Sequence, residues 1–132
     1  MSLLIGNHIY RALSTNTSVT AIAGSRIYPL YVPQGTPSYP FVVFTNNGIS
    51  SDGTKDGTNE DTVSVSVACL AKDYATAVAL ANACRYAIIE DTGTDDGFRV
   101  KAVRLISSSE DFVEGQEVIY ITLTFEFKTQ DY

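Results

Sequence analysis

Apolar residues recur at helical spacing from the start of the chain. Leu4, Ile5, His8, Ile9, Ala12 and Leu13 fall on one side of a helix over residues 2–14, with Asn7 and Arg11 on the other. Such a stripe needs a sheet to lie on. Thr15, Asn16, Thr17 and Ser18 break the pattern, residues 19–23 form one further turn, and Gly24 ends it, because glycine reaches a left-handed conformation at little cost. A short strand is predicted at Arg26, Ile27 and Tyr28. Pro29, Pro33, Pro37 and Pro40 then remove backbone donors at intervals that no interior strand or helix accepts, so residues 29–40 read as an extended surface segment. Phe41, Val42, Val43 and Phe44 are apolar on both faces, which makes them either a central strand or one whose second face meets a partner.

Residues 46–61 hold an Asn-Gly and two Asp-Gly pairs flanked by Ser and Asn, with Ile49 as the apolar exception. That composition does not offset its own ordering entropy, and it predicts a mobile loop. Residues 62–70 alternate cleanly: Val63, Val65, Val67 and Cys69 share one face, and Thr62, Ser64, Ser66 and Ala68 share the other. Asp73 stands where an N-cap belongs, and an Ala-rich helix is predicted over 74–89, with Tyr74, Val78, Ala81, Arg85 and Ile88 spaced on one side. Its many alanines let it approach a neighbour closely. Gly93 or Gly97 closes the next turn. A strand follows from Phe98 and weakens into Ser107, Ser108 and Ser109. In the last strand Ile119, Ile121, Leu123, Phe125 and Phe127 form one apolar face. The pattern amounts to a single α+β domain over residues 1–132. Its mostly antiparallel sheet, with a mixed sheet allowed, is covered on one face by the helices at 2–14 and 74–89. The crossover from Leu70 through the second helix to Phe98 permits one parallel strand pair.

Composition narrows the function. The chain has 132 residues, enough for one sizeable core, and a net charge of −6. That balance argues against a surface built to neutralise nucleic-acid phosphates. No stretch is apolar for long enough to span a bilayer, and the first residues lack the basic flank and cleavage site of a signal peptide, so the expected compartment is the cytoplasm. Cys69 and Cys84 lack CxxC spacing and read as buried small hydrophobes.

Candidate chemistry is sparse. His8 is the sole histidine, so a His-based metal site or a Ser-His-Asp triad has too few parts; it reads as a helix-face residue. Asp91, Thr92 and Gly93 match the Asp-Thr-Gly of dimeric aspartic proteases locally, but Glu90 intervenes, the preceding segment has helical spacing, and too little chain follows for a flap. Asp52, Asp56 and Gly57 fit the first, fifth and sixth positions of a calcium loop, yet Val63 stands where a glutamate belongs and Thr54 replaces an acid. Neither a catalytic set, a cofactor site nor a metal site is expected. Tyr28, Tyr31, Tyr39 and Phe41 cluster along the proline segment, either as an interface or as packing over the domain's own sheet edge. Lys55, in the loop, is either a contact for DNA phosphates or a solubilising charge.

Taken in order, the N-terminal helix, the Arg26-to-Pro29 element, the proline-rich run into Tyr39-to-Phe44, the loop with Gly57, the alternating strand and the Ala-rich helix resemble the small tail-completion, or tail-terminator, proteins of long-tailed bacteriophages and prophages. The resemblance spans nearly the whole chain and rests on order and spacing. It implies a sheet with two helices on it, a hexameric ring between tail tube and head connector, a place in the virion at the tail–head junction, and no catalysis. The implied partners are further copies of the chain, the tail-tube protein and the connector, with DNA passing through unbound and no membrane. The alternatives are another neck or tail-tube protein of the same machinery, or a small hydrolase that uses Asp52, Asp56 and Asp91.

Overall fold

A computed structural model of the chain describes residues 5–24, 26–29, 39–53, 59–90, 94–95, 98–113 and 118–131. The first helix, α1 (Ile5–Ser14), forms as its apolar spacing predicts, burying Ile5, His8, Ile9, Ala12 and Leu13. The polar run after it starts a second helix, α2 (Thr17–Ala23). Asn16 is its N-cap: Oδ1 accepts hydrogen bonds from the backbone N–H of Ser18 at 3.0 Å and of Val19 at 3.2 Å. Gly24 closes it at φ 61°, its N–H donating to the Thr20 carbonyl at 2.9 Å.

The strands β1 (Ile27–Pro29), β2 (Phe41–Gly53), β3 (Asn59–Ala71), β4 (Thr94–Asp95), β5 (Phe98–Val113) and β6 (Val118–Asp131) make one sheet in the order β1-β2-β3-β6-β5-β4. All described pairs are antiparallel except β1 with β2. The sheet is therefore mixed, though the parallel pair is not the one the crossover suggested. β3 and β5 do run in the same direction across the helix α3 (Tyr74–Glu90), but β6 lies between them and pairs with both. The helices cover one face: α1 sits over β1 and β2, and α3 over β3, β6 and β5. Their shared core holds Leu13, Val42, Phe44, Val65, Leu80, Ile88, Phe125 and Phe127 among others.

Three sequence expectations need correction. Residues 46–53 and 59–61 are not loop: they are paired strand, with Asp52 opposite Glu60, and the turn signal at Asn46 to Gly48 makes a β-bulge instead. Ladder hydrogen bonds are backbone bonds, so a polar segment extends a hairpin whenever a partner strand is already fixed. Residues 54–58 of the proposed loop lie outside the described residues. In α3 the buried stripe is Ala77, Leu80, Ala81, Cys84, Ala87 and Ile88, whereas Tyr74, Val78 and Arg85 are exposed. With alanine at so many positions, contrast between faces is weak and periodicity misplaces the stripe. Finally, β5 does not fade at its three serines but continues to Val113, bulged beside Lys101 and Ile106 and held by β6.

Candidate assembly surfaces

The cap of α3 is built as predicted. Asp73 Oδ2 accepts from the Thr76 backbone N–H and hydroxyl, both at 3.1 Å. Cys84 on α3 then meets Cys69 on β3, Sγ to Sγ at 3.8 Å, both buried and free. The hydrogen bond with Cys84, followed by burial, holds the Cys69 thiol well above its ordinary range. Both are buried in the core, as the lack of CxxC spacing implied, and their contact is a finding of the structure. His8 is likewise in the core, edge-on to Phe127 with ring centroids 6.1 Å apart, and its Nδ1 lies 3.4 Å from Arg11 Nη2. Among the described residues no three metal-ligating side chains gather. Asp56 and Asp91 lie outside those residues, and Asp52 is described only as backbone in β2. No described helix is long and apolar enough to cross a membrane.

Surfaces, not clefts full of acids and bases, are where the structure concentrates unusual features. On the face away from the helices, at the β1–β2 edge, Phe41 is buried under two tyrosines of its own chain. Its ring centroid lies 6.0 Å from that of Tyr28 and 5.0 Å from that of Tyr39. The Lys72 ammonium sits 5.0 Å from the Tyr39 ring centre. Arg26 Nε donates to the Pro40 carbonyl at 2.9 Å and ties the Tyr39–Pro40 stretch, whose peptide bond is cis, back to β1. Three of the five residues singled out from sequence thus come together. Tyr31 and Lys55 lie outside the described residues. The apolar run at Phe41 to Phe44 is resolved as an interior strand, since β2 has β1 on one side and β3 on the other.

On the helix face of the same edge, a cleft of about 260 Å³ opens between α1 and β2, lined by Ile5, Gly6, Ile9, Pro29, Phe44 and Val65 and by the polar residues Thr45 and Asn46. Across the sheet, β5 presents the opposite edge. β4 pairs only with Phe98 and Arg99, and among the described residues nothing pairs with the outer side of β5 beyond them. This edge carries two of the large exposed apolar side chains, Ile106 at 49% and Phe112 at 55%. Tyr74, at the start of α3, donates its hydroxyl hydrogen to Glu110 Oε1 at 3.2 Å, beside Phe112. That bond, with the Glu110 charge, raises the Tyr74 pKa; on the other face the Asp111 charge raises that of Tyr120. Sequence reasoning missed both the cleft and the Phe112 edge. The available signal was faint: one aromatic, Phe112, in a run otherwise of serines and acids.

Comparison with known proteins gives the family. No curated protein matches the chain. Among solved structures, a chain from the virion of the native gene transfer agent particle has a TM-score of 0.78 at 20% identity, over 92% of this chain and 91% of that one. At that identity the likeness shows the fold. A family model described as tail completion protein gp17 matches residues 7–130, all but the ends of the sequence. The chain belongs to the tail completion protein gp17 family, and its role is structural, in the building of a tail and its virion.

Proposed function

We propose that the protein is a tail terminator: copies close into a hexameric ring on the last disc of the tail tube, stop its growth and offer the joining surface for the head connector. The observation that carries this reading is the family match over residues 7–130. A terminator must bind its own copies and two different neighbours, and it needs no catalytic group. The sheet supplies two opposite edges for that purpose, and the likeness to a chain of a gene transfer agent virion supports a place inside a particle. Tyr28, Tyr31, Tyr39, Phe41 and Lys55 are proposed contact residues. A closed ring exposes no further copy of its own interface, which is why it ends a polymer. The net charge of −6 keeps DNA moving through the ring from adhering to it.

The test is electron microscopy of tails assembled without their completion protein and then given this chain. Capping is expected at one end only, with tube growth arrested and heads able to join. Decoration along the tube identifies a tube protein instead, and binding to heads alone identifies a neck protein; either result overturns the terminator reading.

A further inference from the structure

We infer that Phe112 of one subunit seats in the α1–β2 cleft of the next, and that this head-to-tail contact holds the ring together. The inference rests on the ring reading above for its occupant, a second copy of this chain, and goes beyond it in naming the interface.

Phe112 cannot reach the cleft within its own chain. β5 and β2 are separated in the sheet by β6 and β3, so at about 4.8 Å per strand spacing the two edges lie roughly 14 Å apart or more. Both features are on the face that carries the helices. Phe112 stands opposite Ile119 on β6, whose alternate residues Ile121, Leu123 and Phe125 point into the helix-covered core. The cleft lies between α1 and β2 on that same side. A cavity of about 150 Å³ lined by aliphatic and aromatic side chains takes a benzene ring. The cleft, at about 260 Å³ and with a mainly apolar lining, has room for a phenyl group. Phe112 is the most exposed phenylalanine among the described residues, at 55%.

Charge supports the same pairing. Residues 1–51, which build α1, α2, β1 and most of β2, contain Arg11 and Arg26 and no acid; all fifteen acids lie from Asp52 onward. Glu110 and Asp111 immediately precede Phe112. Docking Phe112 therefore brings the two acids beside it to a part of the neighbouring subunit that holds two arginines and no acid. A contact between different patches repeats around a ring, as a terminator requires.

Two single substitutions break the two halves separately. Phe112→Asp removes the knob at an exposed position. Gly6→Leu fills the hole from a position that lines it: a Cβ at Gly6 meets the Phe44 Cε2 atom at 3.8 Å, an ordinary contact. Analytical ultracentrifugation of wild type and variants, alone and with tail-tube ends, gives the readout, with thermal melts confirming that each variant folds. Each variant is expected to lose the ring and weaken self-association more than tenfold. An equimolar mixture is expected to form a heterodimer and nothing larger, because the intact Phe112 of the Gly6→Leu chain docks into the intact cleft of the Phe112→Asp chain and leaves two broken ends. If wild type forms the ring and either variant still does, the inference falls while the ring reading stands. Full rings from the mixture, or a mixture that stays monomeric, overturn it too. Wild type that never forms a ring overturns the ring reading and this interface with it.

Discussion

β6 and β5 are neighbours in the sheet, similar in length and bonded along almost all of it, yet they live in different environments. β6 buries every second residue from Ile121 to Thr129, while β5 buries Val100 and then runs out to an edge on which Ile106 and Phe112 are largely exposed. The difference is one of position. β6 has β3 on one side, β5 on the other and α3 above, so its side chains are fixed by packing; β5 has a single long partner, and two bulges relieve its alternation. A central strand is shaped by the fold and an edge strand is available for assembly. Free-energy changes should follow that division.

The largest effect is expected in β6. Leu123→Asp places an unpaired carboxylate among Val67, Phe125 and the helix-covered core and should cost on the order of 5 kcal/mol, as much as the whole stability of a domain at the lower end of the usual range. Far-UV circular dichroism should show no folded protein; a cooperative melt for this variant would mean that the β6 face is less tightly packed than described. Phe125→Ala, which leaves a cavity without a charge, should cost about 3–5 kcal/mol by urea unfolding. Moving one strand outward to Val103→Ala, half-buried against the core, the expected loss falls to about 1 kcal/mol in the same measurement. Phe112→Ala, further along that strand, should change the stability of the subunit by no more than about 0.5 kcal/mol. A loss above 2 kcal/mol would show that the outer end of β5 is held as firmly as β6 and would dissolve the contrast.

The smallest effect is electrostatic. The neutral Tyr74 phenol donates to Glu110, which raises its folded-state pKa above the ordinary value near 10, so the stabilisation is fully present below that ordinary pKa and is lost as pH rises through the folded one. Phenolate absorbance should accordingly show a tyrosine titrating later than a free phenol, and Tyr74→Phe should remove that component. Asp111→Asn should lower the pKa of Tyr120 without moving that of Tyr74. An unchanged titration curve in all variants would place these side chains apart in solution.

The same division explains what the sequence disclosed. Elements whose side chains alternate against a core were legible. α1, the buried faces of β3 and β6, and the Asp73 cap all appear as their spacing required, and the α+β class followed from them. The failures lie where backbone pairing or uniform composition decides. Polar residues 46–53 joined a ladder because β3 was there to receive them, and the buried face of the Ala-rich helix had too little contrast to be located. Surfaces were the least legible. Tyr28, Tyr39 and Phe41 do form one cluster, but the cleft beside Gly6 draws on α1, β1, β2 and β3, and no local window holds those residues together.

The insertion of β6 between β3 and β5 also sets a timetable. A chain emerging from the ribosome delivers β2, β3, α3 and β5 before the strand that joins them, so through most of synthesis the inner side of β3 and that of β5 have no mate. The sheet closes only when the stretch from Val118 onward is free to slide into the gap, forming both of its ladders at once. An isolated fragment ending before Val118 should be sticky and poorly folded, whereas the finished subunit hides those inner strand sides.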